Sequence, residues 1–304
     1  MITRREILAY TTGMAASLPM QKLTDWLPAD PKTAPLMIFE KVLQNLSPRD
    51  LAEALVEIGA DGIEVAIRPG GRIEPTAVHD TLPTLVNVLK QQNKKIFVAT
   101  TNITSATPES RRLLQALVNQ QITHYRMGYY RWDPKQNLQK NRTAVEGQLK
   151  ELAQLNRELG ITGLYQNHAG KKYIGATIID MILLLEKISG NEINLALDLR
   201  HLRAESGLSW PTLARLAKPH VGCLYIKDAR WRGPKSQQLE NVPLGSGFVD
   251  RDMFESVRKQ CPSVPISLHV EYHGGKPLVY AELRQAIESY RTDTQLLRQW
   301  MTST

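Results

Sequence analysis

Short apolar runs punctuate this chain, with polar residues placed at alternate positions near the ends of the runs. In Asn194-Leu-Ala-Leu-Asp198, Leu195 and Leu197 share one parity while Asn194, Ala196 and Asp198 share the other. The alternation of a strand therefore sends the leucines to one face and the carboxylate to the opposite one, and the chain then leaves the sheet through His201. The same device recurs at Asp61-Gly-Ile-Glu-Val-Ala66, where Glu64 lies between Ile63 and Val65, and at Ile266-Ser-Leu-His-Val-Glu271, where His269 and Glu271 oppose Ile266, Leu268 and Val270. Further runs at Leu36–Glu40, Lys95–Ala99, His124–Met127, Thr162–Gln166 and Val221–Ile226 complete eight expected strands.

The segments between these runs read as helices. Ser47-Pro48 opens one that stops at Gly59, with serine as the cap and proline in the first turn. Others are expected over Val78–Gln92, from Pro108, over Gln139–Leu159, over Ala176–Ile188, from Ser209-Trp-Pro211, after the cap residue Asp250, and over Leu278–Trp300. Strands alternating with helices predict a parallel sheet with crossover helices, and eight repeats in roughly 250 residues predict a single closed (β/α)8 TIM barrel. The barrel is assigned to residues 31–304, since no low-complexity linker divides them.

Residues 1–30 are read as an address and not as fold. Thr3-Arg-Arg-Glu-Ile-Leu8 resembles a twin-arginine export signal, followed by a mildly apolar stretch to Met20 that is too short to span a bilayer. Export predicts a periplasmic protein, with a cytoplasmic one as the alternative. A net charge of +8 on 304 residues would suit an anionic partner, yet dense basic runs are limited to Lys94-Lys95 and Lys171-Lys172, and scattered basic charge is the ordinary signature of a solvated surface. Cys223 and Cys261 are too few for a disulfide scaffold and lack metal-ligand spacing.

The candidate chemistry gathers at strand ends, where TIM barrels place their active sites. Glu64, Arg126, Gln166, His168, Asp198, His201, Lys227, His269 and Glu271 all fall there. Asn167 belongs to the polar cluster Asn167-His168-Ala-Gly170, and burying such groups without partners costs several kcal/mol. Arg68 and Arg72, in the turn after the second strand, are candidates for holding an anionic or polyhydroxyl ligand. Pro243-Leu-Gly-Ser-Gly247 is either a plain loop or a small phosphate nest.

Five motifs, in order, carry a family resemblance: Gly59-Ala-Asp-Gly-Ile-Glu-Val, Tyr165-Gln-Asn-His-Ala-Gly, Asp198-Leu-Arg-His, Ile226-Lys-Asp and Leu268-His-Val-Glu-Tyr. The chain after residue 30 resembles the sugar phosphate isomerase/epimerase group of xylose isomerase-like TIM barrels, and in particular its exported branch. The resemblance implies proton abstraction next to a sugar carbonyl, with one divalent metal held by Glu, Asp, His and Glu from the last strands. Carried over, the Asp is Asp198 and the last Glu is Glu271, but Gln166 stands at the first Glu position and Tyr225 at the His position. A metal ligated by Gln166, Asp198 and Glu271 would be Mg or Mn, weakly held. Without one, Lys227 would stabilise an enediolate oxygen, His168 and His201 would relay protons, and Glu64 or Glu271 would be the base, with Arg68, Arg126, Asn167 and His269 around the sugar. No nucleotide cofactor, nucleic acid or membrane partner is expected. Two other readings stay open: a non-catalytic sugar-binding barrel, and an endonuclease IV-like phosphodiesterase that would need three zinc ions.

Overall fold

The computed structural model describes residues 34–233, 238–274 and 277–302, so the proposed export signal lies outside the described residues. Eight parallel strands close into a barrel: β1 (Leu36–Phe39), β2 (Gly62–Ala66), β3 (Lys95–Thr100), β4 (His124–Arg126), β5 (Thr162–Gln166), β6 (Ile193–Asp198), β7 (Val221–Ile226) and, last in the ring, β10 (Ile266–Leu268), which pairs with both β7 and β1. The remaining pair, β8 (Asp228–Arg232) and β9 (Gln238–Val242), forms an antiparallel hairpin outside the ring.

Helices α1 (Pro48–Ile58), α2 (Val78–Gln91), α3 (Pro108–Asn119), α4 (Leu138–Leu159), α5 (Ile179–Leu185), α6 (Leu199–Ser206), α7 (Trp210–Ala217), α8 (Arg251–Gln260) and α9 (Tyr280–Thr302) provide the outer layer. The caps expected from sequence are in place: Ser47 accepts from Asp50 N, Asp250 accepts from Met253 N, and Gly59 ends α1 with φ 77°. That left-handed backbone favours glycine because a Cβ would be strained there.

Alternation divides two cores. The large one lies between strands and helices and includes Leu36, Ile38, Ile63, Val65, Leu195 and Leu197. A smaller one fills the barrel's interior with Met37, Val98, Leu164, Ala196, Cys223 and Tyr225. The parity that turns leucines outward thus turns Ala196 and Asp198 into the barrel.

Four expectations need correction. The sixth strand stops at Asp198, whose carboxylate accepts from His201 N and so starts α6 at once, leaving His201 in a helical turn. The eighth strand stops at Leu268, and His269 and Glu271 lie beyond its last ladder pair. α5 begins only at Ile179, because Ile178 takes φ 60°, which a helix cannot continue through. The loop after β7 contains the β8–β9 hairpin, unforeseen because its residues, Asp-Ala-Arg-Trp-Arg and Gln-Leu-Glu-Asn-Val, lack a regular apolar face.

Candidate active site

The polar residues that alternation turned inward meet at the C-terminal end of the barrel in two tiers. Glu64 anchors the lower one. It is fully buried and accepts hydrogen bonds from Thr100 Oγ1 and from Ser267 Oγ (2.7 Å), with His269 Nε2 at 3.1 Å and Arg126 Nε at 3.7 Å. Burial alone would raise its pKa, but the His269 ring, Arg126 and the Thr100 hydroxyl hold it down to about 2. His269 is packed between Phe39 and Tyr225, at ring-centroid distances of 4.8 and 4.5 Å. Both residues are walled off from solvent, so Glu64 stands as a fixed anion under the site, and His269 as its partner more than a sugar contact.

Arg126 ties this tier to the next. Its guanidinium donates to Gln166 Oε1 at 2.9 Å, and the Tyr129 hydroxyl donates to the same oxygen at 2.5 Å. Gln166 Nε2 in turn donates to Asp198 Oδ2 at 2.7 Å. Asn167 clamps the end of β6: its Nδ2 donates to Asp198 O, and its Oδ1 accepts from Asp198 N at 2.7 Å. Asn167 is fully buried and both ends of its amide are spent on backbone, so the expected sugar contact gives way to a positioning role.

Lys227, delivered by the end of β7, closes the upper tier. Its Nζ lies 3.3 Å from Asp198 Oδ2 and 3.3 Å from Glu271 Oε2. Lys227 and Asp198 are buried, whereas the Glu271 side chain keeps 23% of its surface exposed. Burial would lower the Lys227 pKa, but Asp198 and Glu271 raise it, so the ammonium stays charged. Burial would raise that of Glu271, but Lys227 and His269 hold it well below the usual carboxylate range.

His168 and His201 pack on each other beside this pair, their rings tilted by 34° with centroids 4.1 Å apart. His168 is partly exposed and also packs on Tyr129 and Tyr173. Its Nδ1 lies 2.9 Å from Ala169 O, while His201 Nδ1 lies 2.9 Å from Arg200 Nη1. Burial and the Lys227 charge lower the pKa of both imidazoles.

Of the two arginines in the turn after β2, Arg72 is committed to the fold: it pairs with buried Glu40 at 2.8 Å and donates to Leu43 O and Leu46 O. Arg68 stays partly exposed over the Phe39 ring, 5.8 Å from its centroid. The Pro243–Gly247 loop turns Gly247 N onto the chain's own Asp228, whose carboxylate also accepts from Val249 N and Ala229 N, so no free phosphate nest is left there.

The donor set does not fit the divalent metal that the resemblance implies. Gln166 Oε1, the oxygen that would ligate, already accepts two hydrogen bonds, and its amide nitrogen occupies an oxygen of Asp198. The Lys227 ammonium stands between the two remaining carboxylates, where a second cation would be repelled. Among the described residues, no group of three or more His, Cys, Asp or Glu is disposed to hold a metal ion.

Sequence reasoning did not single out Tyr129, Arg200 or Lys41 at this rim. Tyr129 and Arg200 follow strand ends by only a few residues, a signal that was available; Lys41 lies in the 3-10 turn after β1, with no motif around it.

Residues 52–299 match the sequence profile of the xylose isomerase-like TIM barrel family. Among curated proteins, none matches the chain in sequence. Solved structures with the same fold include a probable 3-DHS dehydratase from Bacillus anthracis (14% identity, TM-score 0.67, 86% of this chain and 98% of that one). D-psicose 3-epimerase from Clostridium cellulolyticum H10, solved with D-tagatose, is similar at 11% identity and a TM-score of 0.66, covering 88% of this chain and 99% of that one. A xylose isomerase-like barrel from Mycobacterium smegmatis, in complex with magnesium, is similar at 13% identity and a TM-score of 0.65, covering 91% and 99%.

Proposed function

This chain belongs to the xylose isomerase-like TIM barrel family, and from that premise we propose that it is a sugar isomerase or epimerase, or a related lyase, acting by proton transfer next to a carbonyl. The observation that carries the reading is the Lys227 ammonium held between Asp198 and the partly exposed Glu271. Glu271 is the base: it is ionised at neutral pH and is the one carboxylate of this cluster open to a ligand. As it takes the proton from carbon, negative charge moves to the carbonyl oxygen of the sugar. Lys227 faces both positions, so the ammonium stays neutralised before and after the transfer, which lowers the cost of forming the enediolate. Asp198, fixed by Gln166 and Asn167, holds Lys227 in place throughout. His168, at the open side of the cluster, takes up a solvent proton at Nε2 and returns it to the sugar, while Glu271 releases the proton it took to solvent; His201 lies behind His168.

No step is routed through a metal, because Gln166 and Lys227 fill the positions a metal would need. The endonuclease-like reading loses its support for the same reason, since phosphodiester cleavage of that kind depends on bound ions. The sugar-binding reading without catalysis draws on the same substitution of Gln166 and Tyr225 for ligands. Export through Arg4-Arg5 is proposed as well, and it would place the protein among free and oxidised sugars outside the cytoplasm.

The test is NMR in deuterated water with a panel of ketoses and keto-sugars. Solvent deuterium entering one carbon supports the isomerase or epimerase reading and identifies the proton moved. Saturable binding with no exchange at any carbon selects the non-catalytic barrel instead.

A further inference from the structure

The charges around Glu271 do not balance. Five cations lie within electrostatic reach of it: Lys41, Arg68, Arg126, Arg200 and Lys227. Three carboxylates face them, and these are taken: Asp198 and Glu271 by Lys227, and Glu64 by His269 and Arg126. Glu40 also feels Arg68, but its two oxygens are bound to Ala66 N and Arg72 Nε. Arg200 spends its guanidinium on His201 Nδ1 and Asn241 Oδ1. Among the described residues, Arg68 and Lys41 have no carboxylate within ion-pairing distance.

These two cations follow the neighbouring strands β2 and β1, so they share one side of the mouth. Arg68 and Arg126 both lie over the Phe39 ring, at 5.8 and 5.1 Å, close enough to feel each other's charge. Arg68 also lines a cavity of about 500 Å³ between the first turns of α2 and α3, whose lining includes neither Lys41 nor the Lys227–Glu271 pair. Both Lys41 and Arg68 are half-buried, open enough to touch a ligand and dry enough for an ion pair to matter.

We propose that the ligand of this site is an anionic sugar, whose carboxylate or phosphate group is bound by Arg68 and Lys41. The inference rests on the sugar reading above and adds the substrate's charge to it. Either oxyanion suits a guanidinium beside an ammonium.

The experiment is isothermal titration of the full chain with ketoses in three forms: neutral (fructose, tagatose, psicose, sorbose), terminally phosphorylated, and oxidised at the terminal alcohol to a carboxylate. At least one anionic form is expected to bind about tenfold or more tightly than its neutral parent, with an advantage that shrinks as salt is raised. Arg68→Gln and Lys41→Gln are each expected to weaken the anionic form by about tenfold and the neutral form little, while Arg68→Lys, which keeps the charge, recovers part of the loss. Whether phosphate or carboxylate gains distinguishes the two sources. Equal binding of neutral and anionic forms overturns this inference and leaves the sugar reading standing, as does an anionic advantage that survives both glutamine variants. Failure of every form to bind overturns both.

Discussion

The side-chain amide of Gln166 donates to Asp198 Oδ2 at 2.7 Å, so the residue at the expected ligand position neutralises its neighbour by a hydrogen bond instead of sharing a cation with it. Replacing that amide by a carboxylate would set two anions at hydrogen-bond distance, with Arg126 beside the new one and Lys227 beside Asp198. Gln166→Glu is therefore expected to lose about 1–3 kcal/mol of stability at neutral pH, the range for leaving a buried polar partner unpaired. Added Mn2+ should restore part of that loss in the variant and leave the wild-type melting temperature unchanged. Thermal melts with and without Mn2+ check this, and a wild-type melt that rises with Mn2+ would count against the donor argument.

Lys227 is the bridge on which the proposed chemistry depends. Lys227→Met keeps the stem and removes the charge, leaving buried Asp198 and partly exposed Glu271 with no cation between them. Breaking a buried pair by removing one partner costs about 3–5 kcal/mol, and partial exposure of Glu271 places this one at the lower end. Urea unfolding should show the loss at pH 7 and a smaller one at acid pH, where Glu271 can protonate. Solvent exchange into the sugar should fall beyond detection even where the folded variant still binds ligand.

Glu64 ties stability to acid pH. Its carboxyl is held at about 2 against an ordinary 4.5. A depressed carboxyl pKa contributes stability that is complete above the unfolded value and lost as the pH falls through the folded one. The window is thus from 4.5 down to about 2. The shift corresponds to roughly 3 kcal/mol. Glu64→Gln should be destabilised by a similar amount at pH 7, and the gap to wild type should close across that window in urea titrations. A gap that stays constant from neutral pH to pH 2 would show that the charge of Glu64 contributes nothing.

The ring of strands and the face on which the acids lie were legible because burial enforces parity: Ala196 and Asp198 cannot follow Leu195 and Leu197 outward without exposing the leucines. What parity cannot tell is depth. Asn167, His269 and Arg126 stand at strand ends just as Glu271 does, yet they are sealed by partners from strands far away in sequence, such as Asp198 for Asn167 and Glu64 for His269. Nor does a strand pattern report a cation that arrives from a 3-10 turn, as Lys41 does, or mark which residue of a helix start will face the site, as Arg200 does. The hairpin β8–β9 escaped for a related reason, since its exposed strand carries Arg230, Trp231 and Arg232 without an apolar face to mark it.

The two neighbouring histidines, His168 and His201, carry opposite tautomers by chemical necessity. Arg200 Nη1 lies 2.9 Å from His201 Nδ1, and a guanidinium has only donors, so Nδ1 must accept and the ring proton sits on Nε2. His168 Nδ1 lies 2.9 Å from Ala169 O, and a carbonyl only accepts, so there the proton sits on Nδ1 and Nε2 carries the lone pair. Burial and the Lys227 charge keep both rings neutral to a lower pH than the usual 6.5. His168 therefore keeps a free lone pair on Nε2 and can return only a proton it has first taken up there, while the His201 proton on Nε2 lies toward Asp198, 3.7 Å away. Two-bond 1H–15N correlation spectra at pH 7 are expected to show His201 protonated at Nε2 and His168 at Nδ1. Arg200→Met should let the His201 signals move toward tautomer exchange and slow solvent exchange into the sugar by about 10²-fold, the lower end of what a misplaced acid or base costs. Arg200→Lys, which still only donates, should return the tautomer and part of the rate. A wild-type His201 protonated at Nδ1 would remove the arrangement altogether, because the guanidinium beside it cannot accept that proton.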